Sequence, residues 1–125
     1  MGWKLYDFID RRDRNLVEIW LDGLPKDICG RLSAKLQSLV SAEPGLLPNA
    51  ITDTKEKSIK EIVVNGKSGA FRLFLCRGPT NTGSELTLLC GGQEKDRKYI
   101  GTNPSDAERY RQELIKNIGT RREHK

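Results

Sequence analysis

The chain contains a single histidine, His124, close to its last residue. A histidine pair for moving protons is therefore excluded, and the single histidine argues against a histidine-ligated metal site. Cysteine is sparse as well. Cys29, Cys76 and Cys90 are odd in number, far apart and set in apolar surroundings. That spacing excludes a metal or redox motif and reads as buried, reduced thiols of a cytosolic protein. No apolar run approaches the ~20 residues needed to cross a bilayer. The segment Met1-Gly2-Trp3-Lys4-Leu5-Tyr6-Asp7 lacks the apolar core of a signal peptide, so a cytoplasmic location is expected. Internal repeats are absent.

What is present describes one ordinary globule. A length of 125 residues with 36% hydrophobic and 31% charged side chains can bury a core without staples. The formal net charge of +5 is not evenly placed. Residues 1–50 hold seven basic and seven acidic side chains, whereas residues 51–125 hold fifteen basic and ten acidic ones. The excess suits an anionic partner, nucleic acid or an acidic protein.

Along the chain, residues 3–9 alternate loosely, with apolar groups on both faces, and predict a first strand. Residues 10–14 form a charged loop. Asn15 caps a short helix over Leu16, Val17, Ile19, Trp20 and Leu21, which Asp22-Gly23 stops. A longer helix opens at Leu24-Pro25, and Leu24, Ile28, Leu32, Leu36, Leu39 and Val40 give it one apolar stripe at helical period. Residues 42–45 end it. An irregular crossover through Thr54 follows, with Leu46 and Leu47 tucked back onto the core. Strands are then expected at 58–65, at 69–76 and at 85–90, joined by glycine-bearing turns at 65–69 and 77–83, as an antiparallel meander. Gly91-Gly92 ends the last of these, and a charged segment follows to Tyr99. Asn103-Pro104-Ser105-Asp106 starts a terminal helix with the stripe Ala107, Tyr110, Leu114 and Ile118, closed by Gly119. Residues 1–119 thus read as a single α+β domain with helices on one sheet face, and residues 120–125 as a charged, disordered tail.

The residue that stands out is Arg72. In Gly69-Ala70-Phe71-Arg72-Leu73-Phe74-Leu75-Cys76 it lies in an otherwise apolar strand, on the same side as Ala70, Phe74 and Cys76. An unpaired guanidinium in a core is costly. It therefore either meets a carboxylate, with Glu61 of the preceding strand the candidate, or sits on an open face awaiting an anion.

Several pieces together resemble the RelE/HigB-type toxins of bacterial toxin–antitoxin modules, in particular their phage-derived HigB-like branch. They are Trp3-Lys4-Leu5-Tyr6, Glu18-Ile19-Trp20-Leu21-Asp22-Gly23-Leu24-Pro25, Lys60-Glu61-Ile62-Val63, Gly69-Ala70-Phe71-Arg72-Leu73-Phe74, and Leu86-Thr87-Leu88-Leu89-Cys90-Gly91-Gly92 followed by Lys95. The resemblance covers about residues 3–100. It implies a RelE-like fold: an N-terminal strand and two-helix hairpin packed on a mostly antiparallel four-stranded sheet, plus a C-terminal helix. It implies a metal-independent endoribonuclease, without cofactor, that cuts mRNA, usually on the ribosome. It also implies a cognate antitoxin, a helix-turn-helix protein, and no membrane. Two departures stand out. Val63 occupies a place where the family often carries arginine, and Gly92 and Glu94 replace an aromatic and one of two paired lysines.

RNA cleaves itself when a 2′-OH attacks the adjacent phosphate. The catalyst must take that proton, neutralise the phosphorane and protonate the departing 5′-oxygen. With histidine excluded, arginine is left for charge and lysine or tyrosine for protons. The resemblance assigns Arg72, Lys95 and Tyr99 as catalytic, with Lys95, Arg97 and Lys98 expected to lower the pKa of Tyr99. Lys55, Lys57, Lys60, Lys67, Arg97 and Lys98 are assigned to the RNA backbone. The alternatives are a ParE-like gyrase inhibitor and a decayed toxin that only binds a partner. In bland terms, Tyr99 is a packing residue and the cations after Cys90 are a solvated turn.

Overall fold

The computed structural model describes residues 3–41, 51–78, 84–117 and 119–124. The helix end at 42–45, the crossover with Leu46 and Leu47, the turn at 79–83 and Ile118 lie outside them. The elements are β1 (Lys4–Phe8), α1 (Leu16–Asp22), α2 (Lys26–Val40), β2 (Thr52–Asp53), β3 (Lys60–Gly66), β4 (Gly69–Arg77), β5 (Glu85–Lys95), β6 (Lys98–Gly101), α3 (Pro104–Lys116) and β7 (Arg121–Glu123). The architecture is mixed α+β, with three helices and one seven-stranded sheet among the described residues. The sheet is larger than the four strands expected. Its order is β2-β3-β4-β5-β1-β7, with β6 also paired to β5. Only β1 and β5 run parallel. No described helix is long and apolar enough to cross a membrane.

The helix-start signals act as read, whereas α3 ends at Lys116 with Asn117 as its C-cap and not at Gly119. The Asn15 side chain accepts from the Glu18 N–H, capping α1, and Asn103 and Asp106 exchange bonds in a capping box that starts α3. The α2 stripe buries Ile28, Leu32, Leu36 and Leu39. These pack with α1, through Val17 and Trp20, on a sheet face made of Trp3, Leu5, Ile62, Val64, Phe71, Leu73, Leu75, Leu86 and Leu88. α3 does not join them, so the expectation of helices on one sheet face is corrected. Ala107 and Leu114 pack against Phe8, Phe74, Cys76 and Cys90 on the opposite face, so the sheet is covered from both sides. Burial pushes the Cys76 and Cys90 thiols up to about 12, leaving them un-ionised near neutrality, while Cys29 is only half-buried.

Three segments depart from the sequence reading. β5 runs straight through Gly91-Gly92, where a strand end was expected. A methyl group on Gly91 would overlap the Trp20 indole, and one on Gly92 would overlap the Thr102 carbonyl. Close approach of neighbours, not chain reversal, is why glycine stands there. The charged segment after it forms a hairpin, β5–β6, whose two turn residues Asp96 and Arg97 have φ of 54° and 65°. That is the left-handed pair of a two-residue hairpin, made without glycine.

The tail is the third. Residues 121–123, expected to be disordered, form β7 against β1. Arg121 pairs with Glu85 at 2.9 Å, both side chains 11% exposed, and lies 3.9 Å above the Tyr6 ring. The His124 imidazole bonds the Asp7 carboxylate at 2.7 Å, and the His124 N–H donates to the Leu5 carbonyl. The partners of this charge run are distant in sequence, so locally it looked merely solvated. Deleting residues 120–125 is expected to destabilise the protein by about 3 kcal/mol, because buried Glu85 loses its pairing with Arg121 and buried Asp7 its hydrogen bond with His124. Urea denaturation measures this; an unchanged midpoint would mean the tail contributes nothing.

Candidate functional site

Arg72 occupies the middle of β4, opposite Val63 on β3 and Gly92 on β5. Side chains two residues away on each neighbour share its face, which brings Glu61 from β3 and Glu94 from β5 toward it. Arg72 Nη1 donates to Glu61 Oε2 at 2.5 Å, and Nη2 donates to Glu94 Oε1 at 2.7 Å. Tyr99 on β6 stands opposite Glu94 in the register, its ring centroid 6.3 Å from that of Phe74. Four strands thus contribute one residue each to a cluster beside the part of the sheet that α3 covers.

The two carboxylates are unlike. The Glu61 side chain is 9% exposed, that of Glu94 30%. Burial raises the Glu61 pKa above the ordinary 4.5, the Arg72 charge opposes this and the Glu94 charge adds to it. Burial works against the Arg72 charge, but Glu61 and Glu94 outweigh it and hold its pKa above the usual range. Tyr99 moves upward too, by burial and then by the Glu94 charge, with Arg72 pulling the other way. The expectation that neighbouring cations lower Tyr99 is therefore overturned: two carboxylates face it. The buried Arg72 Nε is the one described side-chain polar atom of its kind without a hydrogen-bond partner.

The other candidates fall into two groups. Lys95 and Lys98 end their strands at the β5–β6 turn and Arg97 lies in it, all exposed. Strand alternation turns Lys95 and Lys98 away from the face of Glu94 and Tyr99, so they do not join Arg72 directly. Lys67, exposed in the β3–β4 turn, is close by, because Gly69 abuts the Glu94 carbonyl and the Lys95 side chain. Lys55, Lys57 and Lys60 lie at the other end of β3, about 20 Å along the strand from Lys67. Lys60 is already paired with Asp53 at 2.5 Å. Two clefts among the described residues lie elsewhere: one of about 350 Å³ reaches Trp3, Leu36 and Val40, and one of about 510 Å³ reaches Asp7, Glu18 and Cys29. Arg72 is not on an open face awaiting an anion: its side chain is 21% exposed and is held between the two carboxylates, beside the part of the sheet that α3 covers. No three carboxylate, imidazole or thiol groups converge as a metal would require among the described residues.

A model of phage-derived Gp49-like proteins (DUF891) matches residues 19–114. The chain belongs to this Gp49-like family. The family is phage-derived and toxin-like, and it falls within the RelE/HigB-like toxin superfamily. No curated protein and no solved structure matches the chain significantly. The match contains every member of the Glu61, Arg72, Glu94 and Tyr99 cluster and leaves out β1 and β7. In this Gp49-like chain, sequence reading found Arg72 and weighed pairing with Glu61 against an open face awaiting an anion; the pairing is what forms. That reading missed Glu94 as a second partner, because a strand that ended at Gly91-Gly92 could not carry Glu94 back to the Arg72 face.

Proposed function

We propose that this Gp49-like chain is the toxin of a type II toxin–antitoxin pair and cuts mRNA, engaged on the ribosome, by attack of a 2′-OH on the adjacent phosphate. The observation that supports this most is the cluster of a raised-pKa carboxylate, a partly exposed arginine and a protonated phenol on one side of the sheet, in a member of a toxin superfamily. Glu61 accepts the 2′-OH proton. Arg72 holds the non-bridging phosphate oxygens as charge builds on them. Tyr99, kept protonated at neutral pH by its carboxylate neighbours, gives its proton to the departing 5′-oxygen. The phosphate–5′-oxygen bond breaks as the 2′-oxygen–phosphate bond forms. The products are a 2′,3′-cyclic phosphate and a 5′-hydroxyl, and the requirement for a 2′-OH restricts the substrate to RNA. Lys67, Lys95, Arg97 and Lys98 track the flanking backbone from the hairpin tips, and Lys55, Lys57 and Lys60 reach it further along. An antitoxin silences the protein in the cell.

A decayed, purely binding protein is the second reading. The double carboxylate grip on Arg72 favours it, since an arginine so held resembles a brace.

Mapping RNA ends after induction tests the proposal. New 5′-hydroxyl ends should appear with arrested growth, and intact messages in arrested cells would reject it. Activity should fall on the acid side as Glu61 protonates, at a pH above the ordinary carboxylate value of 4.5, because its pKa is raised. Glu61→Gln should lower the rate on the order of 10²–10⁴-fold and remove that acid limb. A limb that persists in the variant would assign the base elsewhere.

A further inference from the structure

The cluster carries one cation and two carboxylates, which is the wrong sign for a site that must receive a phosphodiester. The two grips on Arg72 differ in what it takes to release them. Glu61 sits in the body of β3, its residue 7% exposed, and moving it would strand a buried charge. Glu94 is 30% exposed in its side chain and lies next to the β5–β6 turn, whose residues Asp96 and Arg97 both hold left-handed backbone. Its carboxylate can rotate into water at little cost. Nη2 is the donor that Glu94 holds, so its release frees that end of the guanidinium while Nη1 stays with the buried glutamate.

Resting on the nuclease reading above, we infer that Glu94 is a placeholder for the substrate phosphate: its carboxylate holds Arg72 Nη2 until a phosphodiester displaces it. Glu61 keeps the guanidinium in place during the exchange, so the fork is aimed before substrate arrives. The incoming anion takes the place of the Glu94 carboxylate on Nη2, and a phosphate oxygen accepts that charge-assisted hydrogen bond well. Loss of the Glu94 charge from beside Tyr99 also makes the phenol a readier proton donor at the moment the phosphate is seated. Glu94 is thus a positioning residue whose charge reduces apparent affinity by the fraction of time it occupies Arg72.

The test uses Glu94→Gln, which keeps a carbonyl for Nη2 to donate to while removing the charge. A 2′-O-methyl RNA oligonucleotide, which cannot be cut, is expected to bind this variant roughly tenfold more tightly than the parent at low salt. KM for the matching cleavable RNA should fall in parallel, with kcat changed much less. The gain should vanish when Arg72→Gln is present in both proteins compared. Unchanged or weaker binding, or an equal gain without Arg72, overturns the inference. Thermal melting checks that Glu94→Gln is folded, and Glu94→Ala, which leaves Nη2 free, should show at least the same gain. Titration with inorganic pyrophosphate, followed on the Arg72 Nε–H resonance, separates the two levels. Tighter binding of pyrophosphate to Glu94→Gln with no RNA cut would keep the placeholder and reject the nuclease. Cleavage with no change in affinity would do the reverse.

Discussion

Arg72→Ala is expected to remove RNA cleavage and growth arrest together, with a rate loss on the order of 10²–10³-fold or more, since it deletes the group that meets charge on the phosphorane. It also leaves Glu61 and Glu94 facing each other without a cation, at a cost of about 3 kcal/mol in stability. The two effects separate by pH. In the variant, Glu61 loses the opposing charge that restrains its upward shift, so its folded pKa rises further above the unfolded value. A carboxyl with a raised folded pKa contributes stability that is present below the unfolded pKa and is lost as pH rises through the folded one. Arg72→Ala should therefore be least stable, relative to the parent, at neutral and alkaline pH and recover toward the parent near pH ~4. Urea unfolding across that range measures it. Arg72→Lys keeps a charge but not the planar fork and should retain most stability while losing much of the cleavage rate. Full growth arrest by Arg72→Ala would confine the arginine to a structural role.

Gly92→Val is expected to prevent or severely weaken folding, and Gly92→Ala to lower stability by roughly 3 kcal/mol. The added carbon meets the Thr102 carbonyl, which is backbone and cannot rotate aside. Thr102 in turn donates its hydroxyl to the Gly91 carbonyl at 2.5 Å, so moving it also disturbs the segment that leads into α3. Gly91→Ala meets the face of the half-buried Trp20 indole, a side chain and not backbone, and should cost less, roughly 1–3 kcal/mol. Comparing the two by thermal melting tests the packing directly. Equal, small effects from both would mean the β5 glycines serve flexibility and not close approach.

Those glycines show where reading the chain residue by residue reaches its end. Their composition looked like punctuation, since glycine pairs usually stop strands. The feature that overrules this, an indole lying on one glycine and a carbonyl on the next, comes from residues 20 and 102. The same reasoning covers β7. Its partners Asp7 and Glu85 lie more than 30 residues away, so the run Arg121-Arg122-Glu123-His124 has no local sign of order.

Signals that act within a few residues were legible. Asn15 and Asn103 are caps because their side chains reach N–H groups three residues on. The α2 stripe and the alternation of β3 and β4 fix which side chains go inward, and alternation alone places Arg72 on the opposite side of β4 from Phe71, Leu73 and Leu75. The amino-acid order thus determined the helices, the central hairpin and the presence of one guanidinium needing an answer. Only tertiary structure decided what answers it. Continuation of β5 past Gly92 puts Glu94 on the Arg72 face, burial separates Glu61 from Glu94 in character, and two carboxylates move Tyr99 up where sequence neighbours suggested down. Charge acts through distance in space, and pairing across strands sets that distance independently of separation along the chain.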